Sequence, residues 1–219
     1  MKKTALWIAA AVASAASAQD FTLRMQTDAG HTSTYYISRN AVRYTNAVVN
    51  VDMIYRLDQN VAITLDGKSK TYRRVSLSAA PSGTAKSVAG APAELFRQMG
   101  FDAAPTVTSL GPDGNIAGYP TQKYLVSTPA VRVEIWVAPS LEMPEAYYDA
   151  NTRFKKSTMF DMTKFDKEIR KIKGTVLKRS VTVTLAGTGQ KYTETTTVVD
   201  RNPIPPATFD IPAYYQAQN

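Results

Sequence analysis

The chain has a single histidine, His31, and no cysteine, so acid–base or nucleophilic chemistry would have to be built from very few groups. His31 follows Asp28-Ala29-Gly30 and reads as an exposed turn residue. There is no second imidazole, no HExxH and no Asp-x-Asp-x-Asp run, so no metal site is expected. A serine nucleophile would have only His31 as its base, and neither Gly-x-Ser-x-Gly nor Ser-x-x-Lys occurs. Carboxylate pairs can meet from anywhere in a fold. Glu134, Glu142 and Glu145 are close in sequence, yet Glu134 shares a strand face with Arg132, the arrangement of an ordinary charge pair. Gly187-Thr188-Gly189 joins two strands instead of opening a helix, so it lacks the dipole that phosphate binding uses. The expectation is a non-enzymatic protein without a cofactor. A hydrolase built from His31 or scattered carboxylates is the least favoured reading.

The elements around these residues are mostly strands. Phe21, Leu23 and Met25 alternate with Thr22, Arg24 and Gln26, and a turn follows at Asp28-Ala29-Gly30. TSTYYIS, AVRYT, NVDMIYRL, NVAITLD and KTYRRVSL continue the alternation, separated by Gly, Asn and Asp, as in an antiparallel meander with one buried face. In NIAGYPTQKYLVSTPAVRVEIWVAP, a Gly-Tyr-Pro turn starts a strand. A second strand then buries Val131, Val133, Ile135 and Val137, with Glu134 and Trp136 on its other face. TVLKRSVTVTLAG and QKYTETTTVVD form a later hairpin, and the prolines of NPIPPATFDIPAYY exclude a central strand.

Two segments break this rhythm. Residues 79–105 are rich in small residues and proline, with one short helix expected over Ala93–Met99 that puts Leu95, Phe96 and Met99 on one side. That segment reads either as a lid over a cavity or as a connector covering a sheet edge. Residues 145–173 read as a helical insertion, with Met162, Phe165, Ile169 and Ile172 at intervals of three and four and Gly174 as the stop. No β-α-β alternation suggests a parallel sheet.

The first residues, MKKTALWIAAAVASAASAQD, have the layout of a secretory signal with cleavage expected after Ala18. Residues 19–219 are then a single domain, released into the periplasm or secreted. No later apolar run is long enough to span a bilayer, and there is no cysteine for a lipid anchor. The segment from Arg153 to Arg179 carries ten Lys or Arg against three acids, a net of +7, while the rest of the chain after Ala18 nets −1. Lys155, Lys156, Lys164, Lys167, Arg170, Lys171 and Lys173 are its candidate basic surface. Such charge attracts nucleic acid, but the aromatics here fall at helical core spacing and the expected compartment holds none, so no nucleic-acid partner is expected. Peripheral contact with an anionic membrane and the solvated outer face of a packed helix both remain open.

Three stretches together carry a family likeness: IAGYPTQKYLV with VRVEIWVAP, KIKGTVLKRSVTV with GQKYTETTTVV, and IPPATFDIPAYY. With AVRYT and LDGKSKTY in the first half, the chain resembles the bacterial domain of unknown function 4412 family, similar in turn to LolA/LolB-like lipoprotein carriers. The resemblance implies a mainly β (α+β) fold, a curved antiparallel half-barrel of about nine to eleven strands covered by helices. It also implies a cavity for a lipid or other acyl-bearing ligand, and it brings no catalytic residues. Many members carry Cys where this chain has Thr121, which removes any redox role there. Met25, Tyr35, Met53, Tyr55, Ile135, Leu95, Phe96 and Met99 are the candidate cavity residues. The interior could instead be filled by its own side chains, leaving an interaction module whose function lies in a protein partner.

Overall fold

The computed structural model describes residues 20–48, 50–77, 103–155, 163–185 and 188–218, with the side chains of 151–155, 163, 185 and 188 left aside. The expected signal peptide, Leu95, Phe96, Met99, Lys156 and Met162 lie outside the described residues.

The protein is mainly β, one open, curved, twelve-stranded sheet. Six strands form an N-terminal meander: β1 (Phe21–Thr27), β2 (Thr32–Ile37), β3 (Ala41–Asn46), β4 (Val51–Arg56), β5 (Val61–Asp66) and β6 (Thr71–Ser76). A second meander contains β7 (Thr106–Ile116), β8 (Tyr119–Ser127), β9 (Val131–Ala138), β10 (Thr175–Leu185) and β11 (Thr188–Asp200). Between β9 and β10 come α1 (Glu145–Lys155) and α2 (Thr163–Ile169). A short 3-10 turn over Pro206–Phe209 leads to β12 (Gln216–Ala217). Antiparallel pairing of β1 with β11 joins the meanders, and β12 lies parallel to β6 at one edge. The count exceeds the expected nine to eleven because β7 and β12 lack the alternation that marks the others; pairing with a neighbour makes them strands.

Turn chemistry sets the register of the hairpins. Gly30 and Asn60 have positive φ at the ends of their loops, where a left-handed residue closes the turn. Between β7 and β8, Ala117 and Gly118 both have positive φ (49° and 86°), the requirement of a two-residue hairpin turn. The Gly-Tyr-Pro motif therefore spans the second turn residue and the first two residues of β8.

Bulges bend the sheet. Register slips at Arg24/Met25 in β1 and between Val176 and Lys178 in β10. At the second slip the extra residue, Leu177, is fully buried. The β7–β8 hairpin tip curls far enough that Ile116 and Tyr119 pack on the same core cluster as Val199 of β11.

The buried residues form three clusters. Phe21, Leu23, Val42 and Tyr55 pack with Ala146 and Ala150 of α1. Val126, Val133, Ile135 and Val137 pack with Phe165 of α2. On the opposite face of the first meander, Ala41, Ile54, Ile63 and Leu65 pack with Phe209 of the C-terminal segment. The proline-rich C terminus is thus a strap across the back of the sheet. It is tied there by Arg43, which donates to the Thr208 carbonyl at 2.9 Å, and by Ile204 N–H, which donates to Asp20 Oδ2 at 2.8 Å.

The second helix is shorter than its periodicity suggests. α2 ends at Ile169, and a turn carries Ile172 back toward the second cluster. Gly174 does not stop the helix. Its φ of +112° brings the backbone against Ala138 and Pro139, and a Cβ there would strike the Ala138 carbonyl oxygen. The start and end of the insertion are pinned beside it: Thr175 Oγ1 donates to the Leu141 carbonyl at 2.7 Å, and Tyr148 Oη donates to the Gly174 carbonyl at 3.4 Å.

Candidate functional site

A cavity of about 640 Å³ lies between the sheet and the helical insertion. Its floor comes from strands of both meanders, Met25, Tyr35 and Tyr44 on one side and Val137, Arg179 and Glu194 on the other. These residues share a face because pairing sets Tyr35 opposite Tyr44 and Arg179 opposite Glu194, while β1 bonded to β11 places the two groups side by side. Met143, Tyr147 and Tyr148 wall the cavity from the insertion, and Ile169, Ile172 and Val176 extend the apolar lining.

The walls are aromatic and soft, with polar groups at defined points. Tyr35 and Tyr44 have ring centroids 4.7 Å apart, and Tyr147 meets Tyr35 edge-on at 5.7 Å and Tyr148 at 5.4 Å. Ser33 Oγ donates to Glu194 Oε1 at 3.3 Å, and Arg179 pairs with Asp166 at 3.8 Å. Burial pushes the Tyr35 phenol well above the ordinary tyrosine value, assisted by Tyr147 and by the negative charge of Glu194. Burial also raises Tyr44, and burial followed by Glu194 pushes Tyr192 up to about 12. The phenols therefore stand as neutral hydrogen-bonding groups on an apolar wall.

The rim is ionic. Lys173 meets Glu142 at 3.7 Å, and Arg170 reaches Glu145 at 3.6 Å and Asp149 at 3.5 Å, tying α1 and the loop before it to the turn after α2. The Arg170 guanidinium also stands over the Tyr148 ring, 5.7 Å from its centroid.

Of the candidate cavity residues, Met25 and Tyr35 line this space. Met53, Tyr55 and Ile135 do not. Met53 and Tyr55 pack in the cluster beneath α1, where the Tyr55 hydroxyl donates to Met53 Sδ at 3.9 Å, and Ile135 is sealed under Phe165. They sit where inward strand positions were expected, but the helices pack directly on them. Tyr44, Tyr147, Tyr192, Arg179 and Glu194 were not foreseen as lining residues; the two-residue spacing of Tyr192 and Glu194 on one strand was the available signal.

Of the basic candidates, Arg170, Lys171 and Lys173 all meet carboxylates, Lys171 through Glu168 at 2.7 Å. Glu142, Glu145 and Asp149, which fold back from before the basic segment, supply much of that countercharge. Lys164 and Lys167 are exposed on α2, and Lys155 ends α1. His31 is exposed in the β1–β2 turn, away from the cavity, its backbone N–H donating to Thr27 Oγ1 at 3.1 Å. No group of three or more potential metal ligands occurs among the described residues, and no helix among them is long and apolar enough to cross a membrane.

Residues 19–215 match the family model described as "Domain of unknown function (DUF4412)". The chain belongs to that family. No curated protein matches it. Among solved structures, an uncharacterized conserved protein from Thermus thermophilus is similar at 8% identity, with a TM-score of 0.52 over 92% of this chain and 90% of that one. That likeness is one of fold. Two crystal forms of PNGF-II match at 10% and 11% identity with TM-scores of 0.44 and 0.45, over 92% of this chain but only 31% of theirs.

On the face away from the helices, the GYPTQKYLV and VRVEIWV stretches of this DUF4412 chain present Thr121, Lys123, Glu134 and Trp136. Thr121 is buried and donates to the carbonyls of Asp113 at 2.6 Å and Gly114 at 3.2 Å, holding the bulged part of β7. Trp136 donates from Nε1 to Asp113 Oδ2 at 2.9 Å, and its ring lies between the Lys123 and Lys178 ammonium groups at 4.5 and 4.4 Å. Glu134 pairs with Arg132 along its strand and with Lys123 across strands, each at 3.7 Å. Among the described residues, the polar and cation contacts of Trp136 are with Asp113, Lys123 and Lys178, and they brace the edge hairpin; it does not line the cavity.

Proposed function

We propose that this DUF4412 protein is an exported, non-enzymatic binding protein that takes a lipid or other acyl-bearing molecule into the cavity between sheet and helices. In this reading the sheet is a LolA/LolB-like half-barrel covered by the insertion, residues 1–18 direct export to the periplasm, and the exposed lysines of α2 meet an anionic membrane surface. The observation that carries the proposal is the cavity itself. At about 640 Å³, lined by methionine, valine, isoleucine and tyrosine with charged side chains on its floor and rim, it has the size of a small-molecule site and an apolar wall for a tail. An open interior of this kind supports ligand binding over a module whose core is filled by its own side chains.

Titration of a fluorescent fatty acid into the chain lacking residues 1–18 tests the proposal. Saturable one-to-one uptake, reversed by unlabelled fatty acid or phospholipid, supports it. No uptake of either overturns it.

A further inference from the structure

The cavity floor has a chemical polarity that a purely apolar site would not need. The floor carries Arg179 and Glu194, and Asp166 of α2 with Glu142, Glu145, Arg170 and Lys173 of the rim are further charged side chains that line the cavity. Lys178 also borders the cavity, but its ammonium stands 4.4 Å from the centroid of Trp136, on the opposite face of the sheet. With Lys178 set aside, the four acids and three bases of the lining net −1 among the described residues, and Arg179 faces Asp166 at 3.8 Å. Around Glu194 stand the rings of Tyr35, Tyr44 and Tyr192, the first two 4.7 Å apart. The same carboxylate contributes to raising the pKa of each of these three phenols, and its cross-strand neighbour Arg179 acts in the opposite sense on Tyr35 and Tyr192, so both charges lie within electrostatic reach of the rings. Aromatic faces and a carboxylate in a partly desolvated pocket suit a positively charged amine or quaternary ammonium group. An anionic head would meet the net negative charge of the lining.

We infer that the Tyr35–Tyr44–Tyr192–Glu194 end of the cavity is a subsite for the cationic nitrogen of an amphiphile, an amine or choline-like group joined to an apolar tail. The tail runs along Met25, Met143, Val137 and Val176. This rests on the lipid-binding proposal and narrows its ligand class to molecules that carry a cationic nitrogen.

The test compares dodecyltrimethylammonium, laurate and dodecyl maltoside, each below its micellar concentration, with tetramethylammonium as a head without a tail, by isothermal titration of the mature chain. The tailed cation binds most tightly, roughly tenfold over the other two tails, the scale of a partly desolvated cation–aromatic contact. Glu194→Gln removes that preference while laurate and maltoside affinities stay within about twofold, and Glu134→Gln, on the other face, leaves it intact. Thermal melts of both variants verify folding. If Glu194→Gln does not fold, Tyr192→Leu provides the same comparison at a half-exposed ring. Equal affinity for all three tails, or a preference that survives the folded cavity variant, overturns the subsite and leaves lipid binding standing. Tetramethylammonium binding as tightly as its dodecyl form upholds the subsite and contradicts the lipid reading. No binding of any probe overturns both.

Discussion

Tyr35 of β2 and Tyr147 of α1 meet edge to face, their ring centroids 5.7 Å apart and their planes at 79°. This contact joins the first meander to the insertion at the edge of the cavity, so it bears on both stability and binding. Tyr147→Ala is expected to lower unfolding stability by about 1–3 kcal/mol, from lost ring contact and lost burial. Fatty-acid affinity should fall as well. Urea unfolding and probe titration on the same preparation check both effects, and an unchanged affinity would remove Tyr147 from the cavity wall.

Gly174 carries a backbone constraint that no other residue type satisfies. With φ at +112° and the Ala138 carbonyl where a Cβ would lie, Gly174→Ala is expected to cost about 3 kcal/mol or more. Because Ala138 ends β9 and Gly174 directly precedes β10, relief would require moving β9 from β10. Chemical denaturation measures the loss, and a change under about 1 kcal/mol would contradict the close approach.

The C-terminal strap stabilises the sheet from the face opposite the cavity. Phe209→Ala is expected to cost about 3–5 kcal/mol, the range for deleting a buried aromatic. Ligand uptake by the fraction that remains folded should be unaffected, since Phe209 and the cavity lie on opposite faces of the first meander. Thermal unfolding with and without fatty acid separates the two effects.

High pH should loosen the cavity. Tyr35 and Tyr192 have folded values above the ordinary 10.0, so the stability they confer is fully present below pH 10.0 and is lost as pH climbs through their folded values, near 12 for Tyr192. Urea midpoints should fall over that range while tyrosinate absorbance rises, and Tyr192→Phe should make the fall shallower. A midpoint independent of pH there would contradict the burial of these phenols.

The parts of the fold legible in the sequence are those governed by neighbours along the chain. Alternation in β1 and β9 and the left-handed residues closing hairpins are local, and they locate strands and turns correctly. Trp136 and Glu134 opposite Val133 and Ile135 follow from the same period of two. β7 was not legible because TVTSLGPDGNI alternates poorly and owes its strand form to β8 and to bulges around Gly111 and Gly114. The strap was visible only as a proline-rich stretch; the seat of Phe209 between Ile54 and Ile63 joins the chain's end to its first third. Within the cavity, Met25 and Tyr35 could be named from inward strand positions. Arg179, Tyr192 and Glu194 depend on β1 pairing with β11, which no local pattern announces. Met53 and Tyr55 show the converse: inward positions are known from alternation, but whether a helix or a space lies above them is decided by the packing of α1.

The central claim is that the cavity holds an acyl-bearing ligand. Native mass spectrometry of the protein purified without detergent from its own cells, followed by lipid extraction, tests it most directly. The expected result is a mass excess corresponding to one discrete amphiphile, released on denaturation and recovered in the organic phase. A protein that is uniformly ligand-free, and stays so after incubation with fatty acid and phospholipid, would contradict it.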